Sequence, residues 1–252
     1  SLTMLAQRLA PEQQQTHGPQ ESLDAFFSGA APQSHAERLA EIVASAQASV
    51  TARQVLVRAA ALAQINGPTP VVFSNLGNNN LGEYDYAAGI LKLDRSYLSG
   101  DPRQGAATLV HELIHVLQHA QGLPAEALEM ELAAHALTLR VLEELGVPQR
   151  QWDQFSREAA RRLARSPDDY RAWLADQLPD KLLLERGNFD DLADSLEDDI
   201  ERLANRVSAA KLRQRFIDDA ARLNNAEGQA AYARFARRVR ALLERESARL
   251  RR

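Results

Sequence analysis

The sequence contains no cysteine. That excludes disulfides, thiolate nucleophiles and any zinc site built on sulfur, and it is compatible with a reducing compartment. No apolar run approaches the length needed to span a bilayer, and no signal peptide is visible in the residues at hand. The expectation is a soluble chain, cytoplasmic or exported without a visible signal peptide. It begins at Ser1 rather than Met, so a preceding targeting segment stays open. An excess of basic charge is also missing. The formal net charge is −4, which gives no reason to expect nucleic acid or an anionic membrane as partner. Finally, no histidine follows His135, so imidazole chemistry has to come from the first half of the chain.

What is present divides into three stretches. Residues 1–35 read as a flexible tail, because Pro11–Gln33 is rich in Gln, Pro, Ser, Gly and Ala. Within it, Leu23–Phe27 forms a short helical turn whose two phenylalanines dock elsewhere, and His17 and His35 are ordinary polar residues. Residues 36–146 form a core that mixes periods. His35–Gln64 has helical spacing of apolar residues with a break near Val50-Thr51, and Gly67-Pro68 stops it. Thr69–Ser74 is a short strand, and Glu83–Tyr86 with Ile90–Asp94 reads as a β-hairpin whose Leu91 and Leu93 share one face. Residues 147–252 are helical, with helices expected over Gln149–Arg165, Asp168–Leu178, Asn188–Asn205 with a continuation toward Leu223, and Glu227–Arg252. Leu192, Leu196, Ile200, Leu203 and Val207 give the third an apolar stripe. The fold class is therefore mostly α with a small β-hairpin or sheet. The C-terminal region is expected to complete or cover a cleft in the core.

The chemistry centres on His111-Glu112-Leu113-Ile114-His115. Histidines four apart on a helix share a face, where two imidazoles can close on one metal ion, with Zn²⁺ the usual occupant. Glu112 stands beside them as the base for a metal-activated water. The flanking residues Leu109, Val110, Val116 and Leu117 are apolar, as a buried helix requires. Asp101 is a candidate N-cap, Pro102 suits the first helical position, and Gln104 is placed to complete a capping box. Gly122 ends the helix and Pro124 opens the next.

Thr108–Leu117 resembles the signature of the zincin metallopeptidases, and its His-Glu-Leu-Ile-His-Val-Leu core is similar, over a few residues, to clostridial neurotoxin light chains. Two histidines leave a catalytic site incomplete. His119 lies about 12 Å along the helix from His111 and cannot share its ion on an unbroken helix. On a second helix returning antiparallel, axial height favours Glu131, with Glu129 and His135 as alternatives. The arrangement is then similar to the gluzincins, in which a glutamate of the second helix is the third ligand. In those of thermolysin type an acidic residue four positions later steadies a ligand histidine. Here His135 stands in that place, a departure that assigns it an outer role as hydrogen-bond partner.

The resemblance implies a peptidase holding one Zn²⁺ on His111, His115 and Glu131, with Glu112 as general base and a peptide or protein as substrate. It also implies that a hairpin strand lines the cleft and pairs with extended substrate. Tyr84, Tyr86, Tyr170 and Tyr232 are the candidate donors to the transition state. Two other readings come from different classes: a catalytically degenerate zincin fold that binds a protein partner, and a helical interaction protein whose motif is accidental. The sequence gives no oligomeric state.

Overall fold

Ser49 divides the first helical run. In the computed structural model, which describes residues 32–77, 79–86, 88–125, 127–179, 181, 218, 221–222 and 225–252, α1 spans Gln33–Ala46 and α2 spans Val50–Asn66. The Ser49 hydroxyl accepts from the Ala52 amide as the cap of α2 and donates to Glu144 at 2.5 Å, while the Thr51 amide donates to the same carboxylate at 2.9 Å. The expected break is therefore a capped junction pinned to the far end of a later helix. Residues 1–31 of the expected tail and the Asn188–Asn205 helix with its apolar stripe lie outside the described residues, while Gln33–His35, expected as the end of the tail, form the first turn of α1.

Three short strands follow: β1 (Val71–Ser74), β2 (Gly82–Asp85) and β3 (Ile90–Asp94). β3 is central, parallel to β1 and antiparallel to β2, so β2 is an edge. Alternation sends Leu91 and Leu93 into the core, each fully buried. On the opposite face Lys92 bridges the hairpin to Glu83 and Asp85. The hairpin is as the sequence pattern predicts, with a third strand added in parallel beside it.

The sheet leads through a 3₁₀ turn to α3 (Pro102–Ala120). Asp101 caps it, accepting from the Arg103 amide at 3.0 Å, and Pro102 occupies its first turn. Gln104 does not close a capping box; its amide reaches the Gln151 carbonyl instead. Gly122, at φ 74°, takes the left-handed conformation that turns the chain away.

The next helix starts later than the sequence suggests. Pro124 does not open it. Its carbonyl accepts from the Ala127 amide in a turn, and α4 runs Leu128–Glu144. Proline can begin a helix, but nothing obliges it to. α4 nevertheless returns antiparallel to α3: the pairs His111–Thr138, His115–Glu131 and Gln118–Met130 run in opposite senses along the two helices. Ala127 and Ala134, both fully buried, let the helices approach closely.

α5 (Gln154–Arg165), α6 (Pro167–Gln177) and α7 (Ala226–Leu250) pack around α4. Asp153, Ser166 and Asn225 cap them with side-chain oxygens. The long helix expected from Gln149 is interrupted at Trp152, whose indole donates to the Val147 carbonyl. Leu163, Tyr170, Leu174, Tyr232 and Leu243 join the same buried cluster as Leu39, Leu93 and Leu113. Mostly helical with a small three-stranded sheet, the architecture has the expected class. Among the described residues no helix is long and apolar enough to cross a membrane.

Candidate metal centre

α3 carries His111 and His115 on the face turned to α4, and α4 answers with Glu131 and His135, likewise four apart. His111, Glu131 and His135 offer ligand atoms that all lie within 4.8 Å of one another. His115 Nε2 joins them, 3.2 Å from His111 Nε2 and 3.4 Å from Glu131 Oε2. Glu131 Oε2 is also 3.8 Å from His111 Nε2 and 3.7 Å from His135 Nε2. Zinc bonds of about 2.0–2.2 Å in a tetrahedron require ligand atoms about 3.3–3.6 Å apart. The observed spacings bracket that edge.

The proton inventory is equally specific. The Thr138 hydroxyl donates to the Ala134 carbonyl at 2.7 Å, so toward His111 Nδ1, at 3.1 Å, it accepts. The Gln118 amide nitrogen donates to the Met130 carbonyl, which turns its oxygen toward His115 Nδ1 at 2.8 Å. Both Nδ1 hydrogens are therefore spent on outer partners. Both Nε2 lone pairs then converge on one point beside a carboxylate oxygen. Two bare imidazole acceptors 3.2 Å apart repel unless a cation or a proton lies between them. Two neutral imidazoles and a carboxylate are a donor set that zinc favours.

Electrostatics without an ion follow from this crowding. Burial holds His111 well below the usual histidine range, helped by the charges of His135 and His115. Burial also lowers His135, to about 4. At His115 burial opposes the charge, but the Glu131 and Glu112 carboxylates outweigh it and hold the ring up at about 9. Glu131 is likewise buried, yet His115 and Lys181 keep its carboxyl well below the usual range. The electrostatics thus favour a charged His115 ring beside an ionised Glu131 carboxylate.

Glu112 projects from the same helix toward β2. Burial pushes its carboxyl up to about 7, and the Tyr84 backbone N–H, which donates to it, lowers it only in part. The approach is close. A Cβ on Gly82 would stand 2.7 Å from Thr108 Cγ2 and 2.8 Å from Glu112 Oε1. Gly82→Ala is accordingly expected to push β2 off α3, at a cost of about 1–3 kcal/mol in stability, and to displace the Glu112 carboxylate. Urea unfolding reads the first effect. A crystal structure of the variant with Glu112 unmoved would show that glycine is not needed here.

The remaining sequence candidates are distributed as follows. Glu129 is buried away from the cluster and accepts from the Tyr232 hydroxyl at 2.6 Å. Tyr170, fully buried, donates to the Leu132 carbonyl. Tyr84 and Tyr86 lie by the β2 edge against His119, whose Nδ1 is 3.0 Å from the Tyr84 hydroxyl. α3 is unbroken through Ala120, so His119 stays apart from His111. His135 does not hydrogen-bond a ligand histidine among the described residues; Thr138 and Gln118 do that instead. The reason is geometric: four positions after Glu131, His135 stands level with the donors themselves, its ring 4.4 Å from that of His111.

Sequence reasoning missed three participants. Gln118 lies three residues after His115, and Thr138 continues the Glu131–His135 face by three more, so helical spacing could have found both. Lys181 could not be found that way. Its ammonium donates to the Ala125 carbonyl at 2.7 Å and lies 3.4 Å from Glu131 Oε1, from a position some fifty residues along the chain.

Residues 11–143, a little over half of the chain, match the family described as "Putative metallopeptidase family (DUF6782)". No curated protein and no solved structure matches.

Proposed function

The chain belongs to this putative metallopeptidase family, and from that premise we propose that it is a zinc-dependent peptidase of gluzincin-like design. His111, His115 and Glu131 would hold the ion. The observation that carries the reading is the convergence of His111 Nε2, His115 Nε2 and Glu131 Oε2 with both Nδ1 hydrogens already committed.

When bound, zinc supplies Lewis acidity to the attacking water and to the scissile carbonyl. The chain's own residues do the rest. Thr138 and Gln118 fix the tautomer and orientation of the two imidazoles. Lys181 engages Glu131 Oε1 and leaves Oε2 for the cluster. Glu112, held against Gly82 and the Tyr84 amide, takes a proton from the water and delivers it to the leaving amine. In the metal-free protein burial raises its carboxyl to about 7. β2 is an edge strand whose Gly82 and Tyr84 amide lie against Glu112, and such a strand can pair with an extended peptide. Of the tyrosines, Tyr84 and Tyr86 are the transition-state candidates, because they lie partly exposed by the β2 edge, whereas Tyr170 and Tyr232 are buried against Leu132 and Glu129.

Zinc uptake should depend on pH in a definite direction. His115 carries its proton up to about 9 in the metal-free protein, and only the neutral imidazole binds metal. Proton competition weakens as pH rises. Apparent zinc affinity is therefore expected to climb about tenfold per pH unit between about 7 and 9, and to level off above. Chelator competition across pH 6.5–9.5 measures this. An affinity flat over that range would remove the assigned proton from the site.

A further inference from the structure

Four donor side chains gather here, His135 in a close set with His111 and Glu131, and His115 joined to that set through the same two residues, but they are not held alike. His111 is fixed through Nδ1 by Thr138 at 3.1 Å, and His115 through Nδ1 by Gln118 at 2.8 Å. Glu131 is held through Oε1 by Lys181 at 3.4 Å. His135 has no such restraint: among the described residues its ring makes no hydrogen bond, and its side chain is 23 % exposed, against 12 % and 8 % for the other two histidines. Yet its Nε2 is as near Glu131 Oε2 as that of His111, 3.7 Å against 3.8 Å. A set of four protein donors closes a tetrahedral zinc site, whereas catalysis requires one exchangeable position.

Resting on the zinc-peptidase reading, we propose that His135 is a detachable fourth ligand, which closes the zinc site at rest and yields its position to substrate or water. Its retreat is provided for. The ring already packs against Phe155, centroids 4.7 Å apart, and Phe155 continues to Trp173 at 4.9 Å. A swing about the side-chain torsions keeps the imidazole on this partly exposed aromatic wall while withdrawing Nε2 from the cluster. Among the described residues no hydrogen bond has to break for it to move. The other two histidines would each have to abandon an outer partner. Three locked donors and one unlocked donor make a site that keeps its metal while opening.

X-ray absorption fine structure at the zinc edge counts imidazoles directly. The zinc-loaded full chain should show three, and His135→Phe, which preserves the ring contact with Phe155 but cannot ligate, should show two. Its zinc affinity should fall by about tenfold or more, with zinc still bound. Saturating acetohydroxamate, a bidentate zinc-binding probe, should lower the wild-type count from three to two at unchanged zinc content. Two imidazoles in the resting wild type, or three that persist under hydroxamate, would overturn the inference and leave the zinc-peptidase reading standing. A chain that takes up no zinc overturns both. The wild-type count decides the matter even where His135→Phe fails to fold.

Discussion

Glu112→Gln is expected to bind zinc as the parent does and to hydrolyse peptides about 10²–10⁴-fold more slowly. Glutamine has nearly the same shape, so it can occupy the pocket formed by Gly82, Thr108 and the Tyr84 amide. It cannot accept a proton at neutral pH. Glu112 is also not among the converging donors, whose contacts run between His111, His115, Glu131 and His135. Binding and chemistry should therefore separate cleanly, with the loss in kcat rather than in metal content. Parallel measurement of zinc stoichiometry and initial rates checks this. A variant that cuts as fast as the parent would reject Glu112 as the base.

The second large effect concerns two glutamates on one helix. Glu131→Gln removes the only carboxylate of the cluster among the described residues and should weaken zinc binding by more than the 10–100-fold that loss of an outer partner costs. Glu129→Gln should leave zinc affinity unchanged. Glu129 lies buried and accepts the Tyr232 hydroxyl. A glutamine oxygen can still accept it, so the expected cost is about 1 kcal/mol of stability, read by urea unfolding. Chelator competition on both variants makes the contrast. Equal zinc affinities, or a larger loss at Glu129, would place the metal elsewhere.

Much of this site was legible in the primary structure because helical spacing is rigid. His111 and His115 are bound to share a face, and Asp101-Pro102 marks the start of their helix. Axial height placed Glu131 opposite them even though α4 begins at Leu128 rather than at Pro124. The error cost little, because an antiparallel pair fixes height from the turn, and Gly122 set the turn correctly. Other features depended on what no local pattern encodes. Whether the Ser49 junction was a kink or a break rested on Glu144, some ninety residues away. The fate of Gln104 rested on the Gln151 carbonyl. The role of Lys181 rested on a return of the chain to Ala125 and Glu131. The expected outer role of His135 came from a likeness to thermolysin-type enzymes rather than from its own surroundings. Spacing alone put it on the Glu131 face, where its ring meets His111 and its Nε2 lies among the donors.

The central claim is that two imidazoles and a carboxylate converge here in order to hold zinc. Elemental analysis of the purified full chain, before and after dialysis against a chelator and again after zinc is restored, tests it most directly. One equivalent of zinc per chain is expected, removed by the chelator, regained on addition, and absent from His111→Ala and His115→Ala. A chain that holds no transition metal even after zinc is supplied, or one whose zinc survives both histidine substitutions, contradicts the account.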